Sequence, residues 1–328
     1  MKRSHTRALA TLAAGVVSLT ASACSIGSGG SAASGNFPSE EITLLVPYQA
    51  GGPTDLTARA VAKVLEKELG EAVVVENKPG GSGATATQQL ITSPPDGHTI
   101  ALITAGTVVL TPLANDVGYT HEDITPLGML SEVPSLIAVG KNSPYKNADE
   151  FFKAAKKNPG KLNVAVPGAS TMQGVELQRL EKEYGVKVTA VPFDSSAEMT
   201  TALLGGNVDA AFVSLAKDVV QFIDDGQMVP LAVSPEERLP WLPDVPTLRE
   251  VGFEKLTLSG STYGVAAPKD VSKHIVTKYE DALEVANKNS ELIRTVGENY
   301  IRKKFCDADC LTALLDETKT TYEPVLAE

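Results

Sequence analysis

The 328-residue chain reads as an α/β protein of two lobes, each a mostly parallel sheet flanked by helices. Three observations lead there. Short apolar runs of strand length alternate with segments of helical periodicity, tight glycine turns join one to the next, and the alternation occurs in two successive series without sequence repetition. The expected division is residues 37–137 plus 260–328 for the first lobe and 138–259 for the second. The chain then passes between lobes twice, near Ile137 and near Gly260, and two passages make a hinge.

Ile42 to Val46 is a nearly continuous apolar run. Pro47 to Gly52 follow, and then apolar residues at helical spacing (Leu56, Ala60, Val61, Val64, Leu65, Leu69) closed by Gly70. Next come a strand at Ala72–Val75, a glycine-rich segment from Lys78 to Gly83, a helix to about Ile91, a Pro-Pro-Asp-Gly turn and a strand at Thr99–Ile103. The second series holds a strand at Leu162–Val166, the turn Pro167-Gly168-Ala169, and a helix from about Ser170 to Tyr184 stopped by Gly185. After it come a strand at Lys187–Val191, a helix opened by Ser195-x-x-Glu198, and strands at Asp209–Val213 and Val229–Val233. After a proline-rich stretch and a strand at Ser259–Ala266, the chain ends in helices expected to pack back on the first lobe.

Residues 1–23 have the layout of a secretory signal: Lys2, Arg3 and Arg7, an apolar run from Ala8 to Leu19, then Ala21-Ser22-Ala23 before Cys24. The run is well short of the ~20 residues that span a bilayer as a helix. Cys24 resembles a lipobox cysteine, with Ala21 where Leu is usual, and lipidation would hold the protein at the outer face of the cell membrane. Residues 24–36, rich in Gly, Ser and Ala, read as a flexible tether. Removing the three basic residues takes the formal charge from −11 to −14, which leaves no electrostatic footprint for nucleic acid.

Cys306 and Cys310 are expected to pair as a disulfide in such a compartment. A metal half-site is the rival, but none of the four histidines stands at ligand spacing, and no metal is expected. No cofactor is expected either: Gly81-x-Gly83-x-x-Ala86 only superficially matches a dinucleotide fingerprint, because Asn77-Lys78-Pro79-Gly80 intervene after the strand. His98 and His121 lie in polar turns and read as solvated surface residues, and Trp241 reads as packing under a long loop.

The strand–glycine loop–helix at Tyr48 to Asp55 (Tyr48, Ala50, Gly51, Gly52, Thr54, Asp55) is the most informative feature. A helix start presents unpaired N–H groups and a partial positive charge, and adjacent glycines let a ligand approach that backbone. An ordinary strand-to-helix turn has the same sequence features. Pro167 to Thr171 (Gly168, Ala169, Ser170, Thr171) repeats the device, so two such loops facing one another would clamp a carboxylate. Asp55 reads as a cap that fixes its loop, since no histidine or second carboxylate accompanies it for acid–base work.

Taken together, Phe37-Pro38-Ser39, the run 42–55, Val-Val-Glu-Asn-Lys-Pro-Gly-Gly-Ser-Gly (74–83) and Ser-Pro-Pro-Asp-Gly-His-Thr (93–99) form a specific pattern. Asn-Pro-Gly-Lys-Leu (158–162), Leu-Leu-Gly-Gly-Asn-Val-Asp (203–209) and Leu-Pro-Asp-Val-Pro-Thr (242–247) continue it. This set, spanning roughly Phe37 to Pro268, resembles the solute receptors of tripartite tricarboxylate transporters, the Bug family. The resemblance implies a two-lobed periplasmic-binding-protein (Venus flytrap) fold and a monomeric, non-enzymatic receptor. Such a receptor would carry a small organic carboxylate (a di- or tricarboxylate, an aromatic acid or an acidic amino acid) to membrane permease subunits. It also implies that Ala105, Gly106, Thr107, Phe193 and Ser214 line the rest of the pocket. The second-lobe loop is shorter than usual in that family, and Phe193 replaces a frequent tyrosine, which removes a hydroxyl. A carboxylate sensor, or a hydrolase on a similar frame, are the competing readings.

Overall fold

The computed structural model describes residues 37–193, 195–256 and 260–326. The expected leader, Cys24 and the tether lie outside them. Among the described residues no helix is long and apolar enough to cross a membrane.

The first lobe opens with β1 (Ile42–Val46), α1 (Pro53–Leu69), β2 (Val73–Asn77), α2 (Ala84–Thr92) and β3 (Thr99–Ile103). A π-helical turn, Gly106–Leu110, runs into the short α3 (Thr111–Ala114), and β4 (Ile124–Val133) follows. The second lobe contains β5 (Ser135–Gly140), α4 (Ala148–Lys157), β6 (Asn163–Val166), α5 (Met172–Tyr184), β7 (Thr189–Pro192), α6 (Ser196–Leu204), β8 (Ala210–Ser214), α7 (Lys217–Asp224) and β9 (Met228–Val233). β10 (Ser261–Pro268), α8 (Lys273–Asn287), α9 (Ser290–Val296) and α10 (Ala308–Leu326) complete the chain.

The strands form two five-stranded sheets, β2-β1-β3-β10-β4 and β7-β6-β8-β5-β9. In each, four strands run one way and one runs against them: β10 is antiparallel to β3 and β4, and β5 is antiparallel to β8 and β9. The reversed strand is in both cases the one that arrives from the other lobe. A chain entering through the hinge starts at the edge where the parallel strands end, so it has to run back along them. The first passage falls at Pro134, between β4 and β5, three residues before the expected Ile137. Proline lacks the N–H that would continue a ladder, so one sheet stops there and the other begins.

Burial explains the pattern of residue types. β1 lies inside its sheet, and all its residues but Thr43 are buried, whereas the edge strand β2 alternates and leaves Val74 exposed. α1 buries Ala58, Val61 and Leu65 on one face, and Gly70, at φ +86°, ends it by donating its N–H to Glu66 O. α6 starts where expected, with Ser195 Oγ accepting the Glu198 N–H at 3.2 Å.

Two features tie the lobes together behind the loops. α5 buries Leu177 and Leu180 in the core of its own lobe, while Met172 and Val175 insert among first-lobe residues that include Leu45, Ala105, Val108 and Tyr322. α10 packs on β4, as expected for a helix returning to the first lobe, and also on α5. Trp241 does pack: its ring meets Tyr300 edge-on at 5.8 Å and touches the cores of both lobes.

Of the two histidines expected on the surface, His121 is buried and His98 is half-buried. His121 is buried with Nε2 at 2.9 Å from Asp316 Oδ1, because α10 covers the turn that holds it. His98 packs edge-on against Phe37 at 5.3 Å and accepts the Ser39 N–H at 3.2 Å, so the turn is closed by the segment that precedes β1.

Cys306 and Cys310 are disulfide-bonded at the start of α10. Reduction is expected to lower stability by about 2–3 kcal/mol, the order for a short closed loop. Thermal unfolding with and without a thiol reductant measures it, and an unchanged midpoint would show that the bridge contributes nothing.

Candidate functional site

The first loop leaves β1 at Pro47 and enters α1 at Pro53. Gly51 takes φ +87°, a left-handed conformation that suits glycine, and donates its N–H to Asp55 Oδ2 at 2.9 Å. Asp55 also accepts Arg59 Nε at 3.0 Å and Asn77 Nδ2 at 3.0 Å, and it pairs with Arg59 Nη2 at 3.0 Å. Asn77 donates to Tyr48 O at 3.0 Å as well, so the end of β2 holds the loop through one side chain. Burial raises the Asp55 pKa, but the bonds from Arg59, Gly51 and Asn77 outweigh it and hold the carboxyl below its usual range. Its side chain is thus a structural knot that fixes the loop.

That start is open. Gly52, the N-cap of α1, has no side chain with which to accept a hydrogen bond, and among the described residues no side-chain cap bond is made there. The first turn therefore offers N–H groups at Gly52, Thr54 and Asp55 to an incoming acceptor. Beside it lie Tyr48 and Tyr263. Burial, with Tyr263 adding, a bond with Thr104 opposing and Tyr119 adding further, pushes the Tyr48 hydroxyl up to about 12. Burial likewise raises Tyr263, against a hydrogen bond with Thr54. Both phenols stay protonated at neutral pH and able to donate.

The second loop differs. Thr171, the N-cap of α5, accepts the Gly174 N–H through Oγ1 at 3.3 Å and donates to Gly168 O at 2.8 Å. This helix start is capped by its own threonine, so it has fewer donors to offer than α1. Gly168 holds φ +139°. A Cβ on Gly174 would lie 2.4 Å from Ala169 O and 2.5 Å from Gly168 O, closer than atoms approach. Gly174→Ala is expected to displace this loop and lower stability by roughly 1–3 kcal/mol. A melting temperature equal to that of the unsubstituted protein would contradict the close approach.

Ser170 Oγ lies 3.2 Å from the donor Asn115 Nδ2, so the two lobes meet at the rim of the loops. Gly106, Ala105 and Thr107 sit directly behind: all are buried, and a Cβ on Gly106 would be 4.0 Å from Thr171 Cα. Thr107 Oγ1 accepts the Thr104 N–H at 3.1 Å, and Thr104 Oγ1 accepts the Thr107 N–H at 3.1 Å, which closes that turn on itself. Phe193 follows β7 and Ser214 ends β8, both next to the second loop. Phe193 donates its N–H to Val166 O at 3.0 Å, beside the start of that loop, and also lines a recess of about 390 Å³ with Ala197, Glu198, Thr201, Ala202 and Asn207. Ser214 Oγ is 2.6 Å from Ser261 Oγ and accepts Gln173 Nε2 at 3.1 Å, so its half-buried hydroxyl is engaged by protein partners.

A family model described as "Tripartite tricarboxylate transporter family receptor" matches residues 57–328. The chain belongs to that family. A curated relative from Cupriavidus necator, the UPF0065 protein in the gbd 5' region, is 32% identical over 287 residues, covering 87% of this chain and 85% of its own. Among solved structures, MatC from Rhodopseudomonas palustris with bound malate superposes with a TM-score of 0.79 at 28% identity, covering 88% of this chain and all of that one. Another R. palustris protein, with adipate, gives a TM-score of 0.76 at 25% identity, covering 89% and 97%.

Several residues around the loops of this tricarboxylate-receptor homologue escape a reading of the sequence. Thr104, Asn115 and Tyr119, from the connection between β3 and β4, and Tyr263, from β10, reach the site. Tyr263 lies on an anticipated strand, yet strand alternation separates faces without saying which end meets the opposite lobe.

Proposed function

We propose that this member of the tricarboxylate-transporter receptor family is an extracytoplasmic lipoprotein, anchored through Cys24. It captures a small organic carboxylate between its lobes and delivers it to membrane permease subunits. The observation that carries the reading is the uncapped N-terminus of α1, whose glycine loop is held open by the Asp55–Arg59–Asn77 knot. Charge-assisted bonds from Gly52, Thr54 and Asp55 N–H groups suit a carboxylate, and the Tyr48 and Tyr263 hydroxyls supply further neutral donors. The malate and adipate held by two relatives are guests of the same chemistry.

In this reading α1 takes the larger share of the negative charge, and the self-capped α5 closes over the guest through Gly168 to Thr171. The ligand leaves unchanged, because the one carboxylate in the loops is locked in structural bonds and serves neither as base nor as nucleophile.

A thermal-shift and calorimetric screen of malate, adipate, tricarboxylates, aromatic acids and acidic amino acids tests it. A specific ligand at 100 times its dissociation constant stabilises the protein by ~2.7 kcal/mol. Stabilisation by none of them would remove the carboxylate assignment. Cys24→Ser is expected to release the protein from the membrane fraction, and retention of the variant there would remove the lipid anchor.

A further inference from the structure

The two loops stand on different lobes, so their separation is set where the chain passes between lobes. One side chain joins both passages to the second loop. Gln173, 2% exposed, lies in the first turn of α5, two residues after Thr171. Its Nε2 donates to Ser135 Oγ at 2.9 Å and to Ser214 Oγ at 3.1 Å, with Ser261 Oγ 3.5 Å away. Ser135 is the first residue after Pro134, at the outward passage, and Ser261 opens β10, at the return. The Ser214 and Ser261 hydroxyls are 2.6 Å apart and join the second lobe to the first. Ser135 N–H in turn donates to Ser234 Oγ at 2.9 Å, which ties in the end of β9.

We propose that Gln173 is a positioning residue: through the serines at both passages it sets the angle at which the Gly168–Thr171 loop faces the first lobe. Buried amides and hydroxyls without partners are costly, so the cluster has one well-satisfied arrangement, and a change in lobe angle has to break it. The crowding at Gly174 transmits that setting, since α5 cannot shift against Ala169 O and Gly168 O without carrying the loop along. The proposal rests on the loops being the two sides of one binding site.

Hydrogen exchange of the ligand-free full chain tests it, comparing the unsubstituted protein with Gln173→Met, Ser261→Ala and the double variant. Methionine matches the length of glutamine and lacks the amide, and Ser261→Ala removes one hydroxyl, so it keeps the test open if the larger change impairs folding. Each single variant is expected to speed exchange in residues 104–108 and 168–175 roughly tenfold while β1 and β6 stay unchanged, and the double to add little beyond either single. Additive effects, or unchanged exchange in those segments, would overturn the proposal. Malate and adipate binding is measured alongside: with a functioning site, Gln173→Met raises the dissociation rate about tenfold and leaves association nearly unchanged. Failure of both probes to bind the unsubstituted protein would count against the carboxylate reading, while the exchange data still decide the role of Gln173.

Discussion

Gly52→Asp is expected to abolish carboxylate binding, with a loss of more than about 100-fold in affinity, because it places a like charge and a side chain where the guest's oxygens meet the start of α1. Gly52 is well suited to this experiment. Its φ of −81° is accessible to any residue, and a Cβ there would find only Gln49 O, at 3.8 Å. Aspartate is also a good N-cap, so its carboxylate would take for itself the N–H groups the ligand needs. The substitution should leave the melting temperature of the ligand-free protein unchanged or slightly raised, while calorimetry shows no heat with a ligand of the unsubstituted protein. Unaltered affinity in a folded variant would mean that the first loop does not hold the ligand. Gly52→Ala, with bulk but no charge, is expected to fall between the two.

Toward pH 8, where Glu176 is charged, Arg179→Met is expected to cost up to about 3–5 kcal/mol of stability, the range for stranding one partner of a buried ion pair. Arg179 Nη1 donates to the fully buried Glu176 at 2.9 Å, its Nε donates to Glu183 at 3.0 Å, and its guanidinium stacks 5.2 Å from the Tyr322 ring. Tyr322 donates its hydroxyl to the same Glu176 oxygen, and Lys182 Nζ donates to Val325 O at 2.7 Å, so α5 of one lobe and α10 of the other share this polar contact. Glu183 also meets Lys255 at 3.3 Å. Burial raises the Glu176 pKa to about 7, against the opposing pull of Arg179 and the Tyr322 hydroxyl.

The sign of the pH dependence follows. A carboxyl whose pKa is higher in the folded state binds its proton more tightly there. Its stabilising contribution is complete below about pH 4.5 and fades as the pH rises through about 7. Without Arg179 the charged form is still less tolerable, so the variant's deficit should be small at pH 5 and grow toward pH 8. Melting curves across that range check this, and a deficit independent of pH would show that Glu176 does not titrate in the contact. Glu176→Gln should flatten the profile of the unsubstituted protein.

The first lobe's loop was legible in the sequence because its signals are local. A strand ending in Pro-Tyr-Gln-Ala-Gly-Gly and a helix opening on Pro-Thr-Asp place donors by covalent geometry alone, and Asp55 in the first turn is within reach of the loop's N–H groups. Phe193 and Ser214 were harder to place, because each sits at the end of a strand whose neighbours come from distant segments. Phe193 turns to α6, and Ser214 is drawn into the cluster with Gln173 and Ser261. The histidines show the same limit: a polar turn reads as solvated until something packs over it, as α10 does over His121.

By itself, then, the sequence determined the alternation of strands and helices, the glycine loops, the capping of α6 by Ser195 and the kinship with carboxylate receptors, all of which depend on residues close together in the chain. Only the tertiary structure decided that Glu176 and Arg179 are buried, and that one glutamine meets serines at both passages between the lobes. The physical reason is that burial and hydrogen-bond saturation depend on what lies opposite. For α5 the opposing residues come from β5, β8, β10 and α10, 38 to 146 positions away along the chain.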